Sequence, residues 1–251
     1  MAYIGTEAWQ RYIRRLSALN RAAAERMRDW VRRNGFADMD ALIAYAYGLA
    51  TKYGEGAAAL AAEMYDAIAA LQGALIEPAV PAPTADYNTV ARTMQGIVNV
   101  SENEETVGAG VGRLVKQAGA DTTLRNALRD GAQFAWVPAG DTCAFCITLA
   151  SRGWQKAGKK AIKGGHAEHI HSNCDCTYAV RFDDSTGVRG YDPERYLAMY
   201  EDAGGKTPKE RINAMRREFY AQNSERINAQ KRSAYEKRRE RESSAAEETE
   251  A

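Results

Sequence analysis

Residues 133–182 read QFAWVPAGDTCAFCITLASRGWQKAGKKAIKGGHAEHIHSNCDCTYAVRF, and this stretch decides the fold class. It opens with a short β-favouring run, Phe134-Ala135-Trp136-Val137, which Pro138 ends. It closes with an alternating run from Cys176 to Phe182, which reads as a second strand. Between them, Gly140-Asp141 turns the chain into Cys143, and residues 147–153 suit a short helix. Residues 156–165, KAGKKAIKGG, form a basic, glycine-rich loop that reads as solvated surface. This region is a small mixed core. The rest of the chain shows helical periodicity, so the expected class is mainly α with a small α+β core.

The same stretch holds every cysteine and histidine of the chain: Cys143, Cys146, His166, His169, His171, Cys174 and Cys176. Two ligands separated by two residues fit on one tight turn and aim at one ion. Cys143 with Cys146 makes one such pair, and His171 with Cys174 makes another. Four donors of this kind complete a tetrahedral zinc site. Cys176 lies two residues past Cys174, on the same side of an extended strand, and can replace His171 or Cys174. The ligand candidates are therefore Cys143 and Cys146, with two of His171, Cys174 and Cys176. His166 and His169 are surplus, and one of them can orient a ligand. Three other readings of the cysteines stay open: two disulfides, unligated buried thiols, and a catalytic Cys–His pair. A structural zinc supplies roughly 10–16 kcal/mol of apparent binding energy to folding. That is large for a module that buries little apolar surface.

Outward toward the N terminus, Thr6 can cap a helix with Trp9, Tyr12, Ile13, Leu16, Leu19, Met27, Trp30 and Val31 on its inner side. Asn34-Gly35 stops it. Asp38 starts a second helix with Leu42, Ile43, Tyr45, Ala46 and Leu49 inward, and Gly54 and Gly56 are candidate breaks. Leu60, Met64, Ile68, Leu71 and Leu75 mark a third. Residues 77–86, EPAVPAPTAD, hold three of the six prolines and form a linker or an extended arm. Tyr87, Val90, Met94, Ile97 and Val98 share a helical face. Ser101 and Glu104 offer a capping box for a helix carrying Val107, Val111, Leu114 and Val115. Asp121 is the expected cap of another.

Toward the C terminus, Asp192-Pro193-Glu194 starts a helix that Gly204-Gly205 ends. Thr207 and Glu210 form a capping box for a helix expected to reach about Arg241. Its apolar positions are few: Ile212, Met215, Phe219, Ile227 and Tyr235. Residues 206–242 carry twelve Lys/Arg against six Glu. Such a helix docks on a partner, approaches DNA phosphates, or lies solvated with i,i+4 ion pairs. The final SSAAEETEA is acidic and expected to be disordered. The resulting organisation is 1–76 helical, 77–86 proline-rich linker, 87–190 helices leading into the mixed core (Cys/His module 134–182), and 191–251 C-terminal helices with an acidic tail.

Composition sets the outer limits. The chain has 251 residues, 45% hydrophobic and 27% charged, with net charge +1. No global field draws it to nucleic acid or membrane, and no apolar run approaches 18 residues. The first fifteen residues lack the apolar core of a secretory signal. Neither a P-loop nor a dinucleotide-binding glycine motif occurs.

The run from Val137 to Gly153, with Cys143 and Cys146, followed by His169-Ile170-His171-Ser172-Asn173-Cys174-Asp175-Cys176, resembles the C-terminal core of tailed-phage minor head proteins. These are the head-morphogenesis proteins similar to protein F of phage Mu. The resemblance covers residues 134–182. Ser172 and Asp175 stand where that family often has proline and arginine. The resemblance implies a low-copy virion component of the phage head, associated with the portal protein and the major capsid protein at the capsid interior. Non-specific contact with packaged DNA is a further expectation, with no membrane and no small-molecule substrate. It implies no catalytic residue. Two enzymatic alternatives remain: a zinc-braced nuclease of the His-Asn-His type, prompted by Glu168-His169 and Asn173, and a capsid-maturation protease.

Overall fold

The computed structural model describes residues 2–138, 142–158 and 176–250. In chain order it comprises β1 (Ala2–Ile4), α1 (Thr6–Asn34), α2 (Met39–Gln72), α3 (Tyr87–Val98), α4 (Glu104–Asp130), β2 (Gln133–Val137), α5 (Ala144–Ala150), β3 (Gln155–Lys156), β4 (Thr177–Arg181), β5 (Thr186–Val188), α6 (Pro193–Asp202) and α7 (Pro208–Glu250). The protein is mainly α with a small α+β core.

Helices α1, α2 and α4 form the bundle. Trp9, Tyr12, Ile13, Leu16, Met27 and Val31 of α1 are buried, as the period of their spacing predicts. Gly35 ends α1 with φ 70°, and Asp38 caps α2 by accepting from the Ala41 N–H. The N-cap position of α1 is Gly5, one residue before the expected Thr6.

Five helix features differ from the sequence reading. Gly54 and Gly56 do not break α2, which runs unbroken through the second and third expected stretches. They are close-approach points. A Cβ on Gly54 would stand 2.8 Å from Thr84 Cγ2, and one on Gly56 would stand 3.3 Å from Leu19. Because Gly73 closes α2 in a left-handed cap, Leu75 falls outside it and is exposed, while Leu71 is half-exposed. Asn103, not the Ser101–Glu104 box, caps α4, accepting from Glu105 N–H at 2.8 Å and Thr106 N–H at 3.3 Å. Asp121 lies inside α4, which continues to Asp130. The acidic tail also continues the last helix, to Glu250, where disorder was expected.

Residues 77–86 run as an extended arm laid along the bundle. Ala79 N–H donates to Asp66 Oδ1 at 2.8 Å, and Ala82 N–H donates to Thr122 Oγ1 at 2.9 Å. Arg129 donates to the Pro78 and Glu77 carbonyls at 3.0 and 2.7 Å. Prolines limit the arm's own backbone donors, and α2 and α4 supply partners for those that remain.

The three-stranded sheet has the order β3-β2-β4, antiparallel throughout. A separate parallel pair joins β1 to β5. One apolar core runs from Trp9 of α1 through Phe134, Trp136 and Tyr178 of the sheet to Val188. Fully buried Tyr12 shares hydrogen bonds with Thr123 of α4 and Thr177 of β4. The bundle and the mixed core are thereby joined at the strand that follows Cys176.

Candidate functional site

The strand register brings the two cysteine-bearing segments to one end of the sheet. Val137 pairs with Thr177. The chain leaves β2 toward Cys143 at the same end where Cys176 enters β4. Cys143 is the N-cap of α5, and Cys146 lies three residues on, in its first turn. The helix therefore begins earlier than residue 147, and it holds the pair on adjacent positions of one face. Cys143 is half-buried, Cys146 is fully buried and Cys176 is 2% exposed.

Tyr196 of α6 bridges the two segments. Its hydroxyl shares a hydrogen bond with Thr142 beside Cys143, and it lies close enough to Cys176 to feel that thiol's charge. Burial pushes the Tyr196 phenol up, Arg195 opposes this, and Cys176 adds to it. Tyr191 supports the same wall: its hydroxyl donates to the Ala150 carbonyl at 2.9 Å, at the end of α5. Arg181 stacks over Trp154, 4.7 Å from the ring centroid, and donates to Gln133 Oε1 at 2.8 Å.

Among the described residues, no three His, Cys, Asp or Glu side chains converge on one point. Cys143, Cys146 and Cys176 therefore do not form a three-ligand group by themselves. His171 and Cys174, with His166, His169 and most of the basic loop 156–165, lie outside the described residues. The donor set fits a structural zinc in two respects. The paired thiols occupy the first turn of a helix, where backbone N–H groups favour thiolate. Cys146 and Cys176 are also buried in the apolar core, with Cys143 packed against it. Cys143 and Cys146 would hold the ion, and the bound zinc would tie the two loops of the module together.

A second feature adjoins the first. Ala144, Ile147 and Met215 form a small buried cluster, with Tyr196, Tyr200, Ala203 and Ile212 against it. This is where α7 docks on α5. Beside it lies an open groove of about 430 Å³, lined by Ile147, Met199, Met215 and Phe219 together with Asp202 and Glu218. Sequence reasoning missed Tyr191, Tyr196 and Tyr200 as parts of this wall. The four-residue step from Tyr196 to Tyr200 after the Asp192-Pro193 start was the available signal.

Fold and site together define a mainly helical protein that carries a cysteine-bearing α+β module. The chain belongs to the VG15 protein family, a family of viral (phage) gene products, whose family model matches residues 4–203. No curated protein and no solved structure matches it. The matched span includes the bundle, the mixed core and α6, and it stops before α7.

Proposed function

We propose that this phage protein is a minor component of the phage head, present in few copies, which acts during head assembly by docking rather than by turnover. Its partners on this reading are the portal protein and the major capsid protein, its location is the capsid interior or portal vertex, and it contacts packaged DNA without reading sequence. The observation that carries the reading is the match to a phage protein family over residues 4–203, taken with the Cys-x2-Cys and His-x2-Cys-x-Cys segments of the minor-head resemblance. The architecture suits the role. A rigid bundle presents a module that zinc would hold closed through Cys143 and Cys146, with two of His171, Cys174 and Cys176. The α5–α6–α7 face offers a groove lined by apolar side chains with Asp202 and Glu218.

The test is co-expression with the portal and major capsid proteins of the same phage, followed by purification of heads and protein counting by mass spectrometry. The chain is expected in the heads at far lower copy than the capsid protein. Its absence from purified heads would overturn the proposal. Plasmid nicking with magnesium that is lost in His169→Ala would instead establish a nuclease, and cleavage of the co-expressed capsid protein a protease.

A further inference from the structure

Helix α6 buries none of its ten residues. A short helix on a protein surface ordinarily hides one face. Here Leu197 and Met199 are each 41% exposed, and so is Phe219 on the neighbouring α7. Met199 and Asp202 lie three residues apart on α6, and Met215, Glu218, Phe219 and Gln222 follow the helical three- and four-residue steps on α7. Each set shares a helix face. Together with Ile147 of α5, the two faces line the groove of about 430 Å³.

The charge of this groove has one sign. Its described lining residues include Asp202 and Glu218 and no lysine or arginine. Neither carboxylate belongs to an ion pair among the described residues. Glu218 accepts from a neutral donor, Gln222 Nε2, at 3.2 Å. Arg211, one turn before Met215, is drawn off: it stacks on Tyr200 at 5.0 Å and donates to the Gly205 carbonyl. By helical spacing, Arg195 and Arg226 stand one turn beyond Met199 and Gln222, outside the lining. The groove thus joins apolar walls to two carboxylates that lack a cation.

We infer that this groove receives an amphipathic helix of a partner protein, seated by large apolar side chains and by lysine or arginine that meets Asp202 and Glu218. The inference gives the docking role proposed above its contact chemistry, and it rests on that reading for the existence of a partner. Apolar walls between helices take anchors spaced i, i+3 and i+4 on an incoming helix. The unbranched side chains of Met199 and Met215 adapt to the shape of those anchors. The carboxylates then select among apolar helices by charge, favouring a cationic one and opposing an anionic one. They equally oppose nucleic-acid phosphate and anionic lipid at this face.

The full chain is titrated against fluorescent model helices about five turns long. The first carries leucine on one face with lysine beside it, the second has glutamate for lysine, and the third has serine for leucine. Only the first is expected to bind, and less tightly as salt rises. Asp202→Asn with Glu218→Gln is expected to weaken it by about five- to tenfold, and Phe219→Ala to weaken it as well. Glu201→Gln with Glu225→Gln removes the same charge from exposed positions outside the lining and is expected to leave binding unchanged. Asp202→Lys with Glu218→Lys is expected to turn the preference to the glutamate helix. Equal thermal midpoints confirm that these surface variants fold. No binding of the first helix, equal binding of all three, or equal losses in the two neutralised pairs would each overturn the inference. So would a dimer in sedimentation that Asp202→Asn with Glu218→Gln dissolves, because the groove would then hold a second copy. A chain that binds none of the helices yet enters purified heads loses this inference and keeps the proposed function. One that binds the first helix as expected yet is absent from heads keeps the groove chemistry and loses that function.

Discussion

Asn126 of α4 grips Val80 of the extended arm through both of its backbone groups: Val80 N–H donates to Asn126 Oδ1 at 2.9 Å, and Asn126 Nδ2 donates to the Val80 carbonyl at 2.9 Å. The same amide nitrogen also donates to the Thr122 carbonyl at 2.7 Å. One side chain thus replaces the partner that a β-strand would have supplied. Asn126→Ala strands two backbone groups at a partly buried place, each costing about 1–3 kcal/mol when left unmade. We expect a loss of about 2–4 kcal/mol in urea denaturation, with faster hydrogen exchange at Val80 and Ala82 than elsewhere. Wild-type exchange at those two amides would refute the clamp.

Helices α1 and α4 approach closely at Gly108, where a Cβ would stand 2.7 Å from the Ala24 carbonyl oxygen. That neighbour is backbone and cannot rotate away. Gly108→Ala must push the helices apart and is expected to cost about 1–3 kcal/mol. Gly48 of α2 is the matched control, for nothing lies within 4 Å of its Cβ position. There alanine removes backbone freedom from the unfolded chain, and about 0.4–1 kcal/mol of stabilisation is expected. Thermal midpoints moving the same way in both variants would contradict this account.

Helix faces and caps were legible wherever the signal was local. The stripe of α1, the Asp38 and Asp192 caps and the reciprocal Thr207–Glu210 box each depend on residues within one or two turns. In that box Glu210 N–H donates to Thr207 Oγ1 at 3.2 Å, and Thr207 N–H to Glu210 Oε2 at 3.1 Å. Gly54, Gly56 and Asp121 misled because their reasons are tertiary. The glycines make room for Thr84 and Leu19, and Asp121 continues a helix that packing sustains. The arm was legible as extended from its prolines, but the side chains that hold it, Asp66, Thr122, Asn126 and Arg129, lie 13 to 52 residues away. At the candidate site the cysteine pair was visible in sequence. The meeting of Thr142, Cys176 and Tyr196 was not, since only the β2–β4 register and the docking of α6 create it.

Asp130 closes α4 as a shared acceptor, taking the Tyr65 hydroxyl at 2.8 Å and two Arg129 donors at 2.7 and 2.8 Å. Burial pushes its carboxyl up, but the Arg129 and Tyr65 hydrogen bonds outweigh this and hold it below the usual carboxylate range. A lowered folded value stabilises the protein above the unfolded value of about 3.9, and that contribution disappears as pH falls through the folded value. Asp130→Asn should therefore be less stable than wild type at pH 6, with the gap shrinking steadily below pH 4. Because Arg129 also holds the Glu77 and Pro78 carbonyls, the variant should loosen the start of the arm. A gap that does not change between pH 6 and pH 3 would remove the carboxylate from the explanation.

Cys143 and Cys146 are both on the first turn of α5, and Cys176 enters β4 at the same end of the sheet. The zinc proposal takes its two remaining ligands from His171, Cys174 and Cys176. Protein purified without chelator is expected to contain one zinc per chain by elemental analysis. Cys143→Ser and Cys146→Ser should each remove most of it, as should two of His171→Ala, Cys174→Ser and Cys176→Ser. Zinc loss should change the near-ultraviolet signal of Trp136 and Trp154, which belong to the module, and leave most of the helical far-ultraviolet signal of α1, α2 and α4. Zinc-free wild-type protein with unaltered spectra would show that the module holds its shape by packing alone. Full zinc content in Cys143→Ser or Cys146→Ser would remove that pair from the ligand set.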